Sequence, residues 1–217
     1  MSSINDHIRK ARMDYSLAEL DEKMVQHDPI QQFKDWLAQA IDARLLEPYA
    51  MTLATVDRSG MPSTRIVLLR EITHRGLIFF TNYTSRKGTE IEQNPLGSAL
   101  FFWAELQRQV RLEGRLEKVS EKISDDYFNS RPRESNIGAW ASEQSSVIAS
   151  RKDLEKRIVE INAKFEGQPV TRPPYWGGYE LVVTEVEFWQ GRNSRLHDRI
   201  HYSNKIEHGW KIERLSP

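Results

Sequence analysis

Cysteine is absent from this chain. That excludes disulfide bonds, thiolate metal ligands and a cysteine nucleophile, and it fits a reducing compartment, so a cytoplasmic location is expected. Long hydrophobic runs are missing too. Nothing approaches the ~18–20 consecutive apolar residues of a membrane helix, and residues 1–12 are polar and charged, without the apolar core of a secretory signal. No membrane partner is expected. Neither sign of charge is in excess: Lys plus Arg and Asp plus Glu number 31 each in 217 residues. Such balance argues against a nucleic-acid partner, which needs a net basic footprint. Any anion must then be held by local clusters. The six histidines (His7, His27, His74, His197, His201 and His208) never fall at metal-ligand spacing on a helix, so no metal is expected. The Walker loop, G-x-G-x-x-G and G-x-S-x-G are also lacking, which leaves a Rossmann nucleotide site unsupported.

What is present has the grammar of one α+β domain over residues 1–217. Asp28-Pro29 reads as an N-cap followed by proline at the first helical position. Ile30, Phe33, Trp36, Leu37, Ala40, Ile41 and Leu45 then recur at helical spacing, which predicts an amphipathic helix over 29–46 with its aromatic stripe in the core. Ala50–Val56 and Thr64–Arg70 flank Asp57-Arg58-Ser59-Gly60-Met61-Pro62, a hairpin signal. Strands are expected at 77–81, 98–103, 110–119, 179–189, 195–202 and 210–215. Helices are expected within 84–94 and over 120–129 and 151–165. Residues 131–140 are punctuated by proline and glycine, and 167–174 is a loop. Short antiparallel strands with helices between them suggest a small β-barrel with helical decoration.

Five clusters carry chemistry. If Arg195–Arg199 is extended, Arg195, His197 and Arg199 share one face. Such a row is either an anion grip with a histidine in reach or a solvated, charge-protected edge. Arg65 and Arg70 stand five apart on an apolar strand, hence on opposite faces and serving different pockets or surroundings. Thr81–Gly88 runs from a strand into a helix start, where free N–H groups favour an anion, although Ser and Thr also act there simply as caps. Tyr127 and Arg131, four apart on one helix face, converge with Ser135 on a possible phosphate grip; a salt bridge of Arg131 with Glu134 is the plainer alternative. Gln144-Ser145-Ser146 offers further donors.

Laid end to end, these segments resemble the pyridoxine/pyridoxamine 5′-phosphate oxidase family. The resemblance is carried by Arg65-Ile66-Val67-Leu68-Leu69, Phe80-Thr81-Asn82, Ser85-Arg86-Lys87, Arg108-Gln109-Val110, Tyr127-Phe128, Ser130-Arg131-Pro132-Arg133, Ile137-Gly138-Ala139-Trp140, Gln144-Ser145-Ser146, Tyr175-Trp176-Gly177-Gly178, Glu187-Phe188-Trp189-Gln190-Gly191 and Arg195-Leu196-His197-Asp198-Arg199. It runs from about residue 12 to Arg214-Leu215-Ser216-Pro217.

The resemblance implies an antiparallel split β-barrel with surrounding helices, a homodimer with FMN at the interface, and a mobile or partly helical segment over residues 1–27. It implies FMN contacts from Arg65, Ile66, Val67, Leu68, Phe80, Thr81, Arg86, Lys87, Gln109, Gln144, Ser145, Trp189 and Arg199. Substrate contacts would come from Arg12, Tyr15, Arg70, Tyr127, Arg131 and Ser135, with Arg195 and His197 over the pyridine ring as the catalytic pair. Arg12 and Tyr15 match an amino-terminal segment that closes over the site. Arg70 departs from the lysine usual in the family, a planar fork in place of a point charge. The implied reaction is oxidation of pyridoxine or pyridoxamine 5′-phosphate by O2 to pyridoxal 5′-phosphate and hydrogen peroxide, with ammonia from the amine. His197 could serve in proton transfer or in positioning. The rival readings are another flavin-using split-barrel enzyme and a non-catalytic carrier of FMN or pyridoxal phosphate.

Overall fold

The computed structural model describes residues 4–10, 15–205 and 209–217. Six helices and nine strands are found among them: α1 Ile4–Lys10, α2 Pro29–Asp42, β1 Ala50–Val56, β2 Pro62–Leu68, β3 Glu71–Ile72, β4 Gly76–Asn82, α3 Arg86–Gln93, β5 Leu96–Trp103, β6 Arg108–Lys118, α4 Glu121–Ser130, α5 Arg133–Ala141, α6 Arg151–Lys164, β7 Trp176–Gln190, β8 Asp198–Lys205 and β9 Gly209–Arg214. Strand order is β2-β1-β5-β6-β7-β4-β3, with β8 paired to β7 and β9 to β8. The chain divides into two compact units, residues 49–101 with 112–184, and residues 1–48 with 102–111 and 185–217. Among the described residues no helix is long and apolar enough to cross a membrane.

In the first unit, β1 and β2 form the expected hairpin, with Ala50 opposite Leu68 and Val56 opposite Pro62. The Asp57 carboxylate accepts from the amides of Ser59 at 2.8 Å and Met61 at 3.0 Å, and Gly60 supplies the positive φ that the turn demands. β2 ends the strand order, the place where a proline such as Pro62 costs no ladder bond. Alternation along β1 buries Met51, Leu53 and Thr55. β4 pairs with β7 from Gly76 opposite Val182 to Asn82 opposite Trp176. Serines cap three helices: Ser85 before α3, Ser120 before α4 and Ser150 before α6. Phe128, Ile137, Phe165, Val170 and Trp176 form a buried cluster that joins the helical segments to the start of β7. The 131–140 stretch, read from sequence only as broken by proline and glycine, contains α5. Pro132 opens this helix, its carbonyl accepting from Ser135 and Asn136, and Gly138 sits inside with open space where a Cβ would be.

In the second unit, the Asp28 side chain caps α2 by accepting from the Ile30 amide at 2.9 Å. Ile30, Phe33, Trp36, Leu37 and Ala40 are buried as expected. The helix stops at Asp42 rather than residue 46. Arg44 turns left-handed at φ 56°, and the amides of Arg44 and Leu45 return to the carbonyls of Ile41 and Ala40. Ile41, expected in the buried stripe, is largely exposed instead. Trp36 meets Phe188 edge-on at 5.2 Å, Phe188 meets Tyr202 at 5.6 Å, and the Tyr202 hydroxyl donates to the Gln26 carbonyl. β8 pairs with β7 and β9 in register around Ile200 and Tyr202.

Candidate active site

All the candidate residues of the first unit line one cavity of about 950 Å³, at the upper end of the ~300–1,000 Å³ usual for a single ligand. Arg65, Arg70, Arg86, Lys87 and Arg131 contribute to its wall, and among the described residues no aspartate or glutamate does. Arg65 and Arg70 line this same cavity in different surroundings, Arg65 against Glu90, Thr55 and Ser63 and Arg70 beside Arg131. β2 ends at Leu68, so Arg70 lies beyond the strand, its amide donating to the Ile78 carbonyl at 2.9 Å, and side-chain alternation no longer governs it.

One end of the cavity is built around the start of α3. Lys87 is buried, its ammonium donating to Thr81 Oγ1 at 3.1 Å, Ser85 Oγ at 3.3 Å and Gln144 Oε1 at 2.9 Å. All three acceptors are neutral. Burial, reinforced by the Arg65 charge, therefore pushes Lys87 down to about 8, against the opposing pull of Glu90. Arg65 reaches the Leu53 carbonyl at 3.1 Å and Thr55 Oγ1 at 2.6 Å, and also bonds Ser63. Glu90 lies behind these cations. It accepts from Thr55 at 2.5 Å, Ser63 at 2.6 Å, Arg65 Nη2 at 3.1 Å and Arg86 Nε at 2.8 Å. Its burial resists ionisation, but the bonds from Ser63, Thr55 and Arg86 and the Arg65 charge prevail and hold it down at about 2. Sequence reasoning missed Glu90; its position one turn after Arg86 was the available signal. Ile66 is 63% exposed, an unusual state for an isoleucine flanked by strand neighbours and one that suits an apolar ligand face.

The other end is aromatic. Phe80 stacks on Tyr127 at 3.9 Å, and Trp176 lies parallel to both rings. The Arg131 guanidinium sits 4.6 Å over Trp176 and donates to the Ser135 carbonyl at 2.9 Å, in place of the Glu134 salt bridge weighed from sequence. Its Nη1 is buried without a partner. Burial lowers its pKa, the neighbouring Arg70 charge adding to the effect while Tyr127 opposes it. Tyr127 and Arg131 do not share a helix face as expected: α4 ends at Ser130 and Arg131 is its extended cap at ψ 151°. The following helix then brings Ser135 to the same wall. An unpartnered, desolvated guanidinium N–H beside a second arginine is a donor set that fits a phosphate. The Arg65, Arg86 and Lys87 group fits another.

The second unit holds the remaining candidates. The extended row expected over Arg195–Arg199 does not form. Asn193–Arg195 is a 3-10 turn, Ser194 and Arg195 take φ of 56° and 62°, and β8 begins only at Asp198. Two successive left-handed residues override the alternation that would have put Arg195, His197 and Arg199 on one face. Arg195 is exposed. His197 is held by the Arg192 amide, which donates to its Nδ1 at 3.1 Å, leaving Nε2 as the nitrogen that carries the ring's chemistry. Burial and then the Arg195 charge lower its pKa. Its ring lies 4.6 Å from Trp189 and 5.7 Å from Tyr15. Arg199 is engaged by Glu187 at 3.0 and 2.9 Å and by the Ser216 carbonyl at 2.8 Å. Gln109 is partly exposed on β6, and Arg12 lies outside the described residues.

Fold and cavity together define an α+β antiparallel split-barrel protein with an anion-gripping pocket. A family model described as pyridoxamine 5′-phosphate oxidase matches residues 37–165, and one for the pyridoxine 5′-phosphate oxidase C-terminal dimerisation region matches residues 176–217. The chain belongs to the pyridoxine/pyridoxamine 5′-phosphate oxidase family. Curated relatives of that name include one from Burkholderia mallei, 58% identical over 95% of this chain and 97% of its own length. Another, from Nostoc punctiforme, is 55% identical over 95% of this chain and 96% of its own. Among solved structures, PhzG from Burkholderia lata 383, in complex with tetrahydrophenazine-1-carboxylic acid, superposes with a TM-score of 0.86 at 34% identity, covering 93% of this chain and all of its own.

Proposed function

We propose that this chain is an FMN-dependent oxidase that converts pyridoxine 5′-phosphate or pyridoxamine 5′-phosphate into pyridoxal 5′-phosphate, working as a cytoplasmic homodimer with FMN at the interface. One observation carries the reading: a single cavity is walled by five cationic side chains and, among the described residues, no carboxylate. That charge excess calls for more than one anionic group, as a flavin phosphate and a substrate phosphate would supply. The relatives' printed names support the substrate pair, and the matched dimerisation region supports the assembly.

FMN, when bound, supplies the redox chemistry, taking a hydride equivalent from the substrate's exocyclic carbon and returning the electrons to O2 as hydrogen peroxide. The protein's share is binding and orientation. Arg65, Arg86 and Lys87 would hold the flavin phosphate, with Thr81, Gln144 and Ser145 as further donors and Ile66, Val67, Leu68 and Phe80 against the ring system. Gln109, Trp189 and Arg199 are assigned to the same cofactor. Arg70, Tyr127, Arg131 and Ser135 would anchor the substrate phosphate, and Arg12 and Tyr15 would join the substrate contacts. Anchoring at a group remote from the reacting carbon supplies orientation, since a correctly held substrate has already surrendered its rotational freedom. Arg195 and His197 would bear on the pyridine ring, with Nε2–H of the neutral imidazole, whose Nδ1 is taken by the Arg192 amide, available to donate a hydrogen bond. Residues 1–217 would act as one functional domain, residues 1–27 forming its amino-terminal segment.

The test is turnover. Purified protein with FMN, pyridoxamine 5′-phosphate and O2 should yield pyridoxal 5′-phosphate and peroxide in equal amounts, well beyond one equivalent per chain. Product limited to one equivalent would indicate a carrier. Peroxide formed from other reduced substrates but not from these phosphates would indicate a different flavin enzyme on the same fold.

A further inference from the structure

The amino-terminal strap from Tyr15 to Gln26 buries little apolar surface, Leu20 being its one fully buried side chain among those described. Polar contacts fasten it instead. The amides of Ser16 and Leu17 donate to Gln107 Oε1 at 3.1 and 3.3 Å, and the Leu20 amide donates to Asp198 Oδ2 at 3.1 Å. At the centre stands Arg214 on β9. Its Nε and Nη2 fork onto Glu22 at 2.8 and 2.7 Å, Nη2 also reaches the Leu20 carbonyl at 2.9 Å, and Nη1 donates to Asp198 Oδ1 at 2.7 Å. Every branch of this guanidinium is thus spent on the strap or on Asp198.

Asp198 is also the residue next to His197, and the Arg192 side chain links it at 3.4 Å to Glu19 of the strap at 2.7 Å. The Arg192 amide in turn fixes His197. At the strap's start, Tyr15 packs edge-on against Trp189 at 5.9 Å and His197 at 5.7 Å. Its ring fills the space over Gly191, where a Cβ would come within 2.8 Å of it.

We infer that Arg214, Glu22 and Asp198 form a clasp that holds Tyr15 in its seat against Trp189 and His197, and are positioning residues for the substrate-facing groups of the reaction. The inference rests on the substrate role proposed above for Tyr15 and His197. Bidentate arginine–carboxylate geometry within a network is the case in which a partly exposed ion pair carries weight. The Arg214 hydrogen bond holds the Glu22 carboxyl down at about 2, so the clasp stays charged throughout the physiological range.

Limited trypsin digestion of the full-length FMN-loaded protein tests the clasp without reference to turnover. Arg214→Gln should speed cleavage after Lys23 by roughly fivefold or more, with Arg214→Lys intermediate, because only the guanidinium spans both carboxylates. The KM for pyridoxamine 5′-phosphate should rise by a similar factor with kcat retained. Tyr15→Ala should raise KM likewise, and the Tyr15→Ala/Arg214→Gln double variant should be no worse than either single one. Glu22→Gln, on the exposed side of the clasp, provides the same KM comparison should Arg214→Gln fold poorly. Unchanged cleavage, or KM effects that multiply in the double variant, would overturn the inference. Absence of oxidation by the wild type would instead refute the functional reading, leaving the cleavage comparison to judge the clasp.

Discussion

Raising the pH from 7 to 9 should strip the proposed flavin-phosphate subsite of one of its charges. Lys87 is 7% exposed and surrounded by neutral oxygens, so burial and the Arg65 charge bring its pKa to about 8 in the free protein. At pH 7 about ten ammonium forms exist for each amine, and at pH 9 the ratio is inverted. A phosphate with a second pKa of about 6 is a dianion at both values, so a phosphate captured only by the ammonium form loses about tenfold in affinity, or ~1.4 kcal/mol. Titration of apoprotein with FMN, followed by flavin fluorescence, measures the effect, and riboflavin serves as control because it lacks the phosphate. FMN affinity should fall about tenfold while riboflavin affinity stays level. The same shift bears on stability. The folded pKa lies below the unfolded value, so the unfolded chain binds the extra proton between about pH 8 and 10.5, and apoprotein stability rises with pH across that window. Lys87→Met should accordingly abolish the pH dependence of FMN binding and raise apoprotein stability at pH 7 by at most ~3 kcal/mol, less the cost of leaving Thr81, Ser85 and Gln144 without their donor. An FMN affinity that is flat to pH 9, or a parallel fall for riboflavin, would show that the Lys87 ammonium does not hold the flavin phosphate.

Other outcomes follow from single contacts. The imidazole of His197, followed by NMR, should titrate below its ordinary 6.5, and Arg195→Gln should move it upward by removing the adjacent charge; no movement would mean that Arg195 does not bear on the ring. Gly191→Ala should raise substrate KM as the clasp variants do, because the added methyl would collide with the Tyr15 ring at 2.8 Å. A variant with unaltered KM would show that the Tyr15 seat does not matter to binding.

Elements set by local chemistry were legible in the sequence. The Asp28 cap, the α2 stripe, the Asp57–Gly60 turn and the serine-capped helix starts all appear near their expected places, because each depends on residues close together in the chain. The cationic residues of the first unit were likewise identified by motif, and one cavity gathers them. Failures came where backbone conformation broke a periodic rule. Alternation was begun at Arg195, whose left-handed φ, like that of Ser194 before it, no periodicity announces. It was also carried to Arg70, two residues past the end of β2. The extent of α2 was overread because Arg44, a non-glycine, closes the helix in a left-handed turn. Glu90 was missed for a different reason: apart from Arg86 one turn earlier, its partners Thr55, Ser63 and Arg65 come from β1 and β2 and meet it only in the fold.

The proposed function requires one cavity to hold two phosphates in separate grips. Arg131→Ala, characterised for substrate KM and for FMN dissociation in the same preparation, tests it most directly. Truncating a desolvated partner of a buried charge costs ~2–5 kcal/mol, so KM for pyridoxamine 5′-phosphate should rise at least thirtyfold (roughly 2 kcal/mol) while the FMN dissociation constant stays within about twofold. An unchanged KM, or an FMN affinity that falls in step with it, would contradict that requirement.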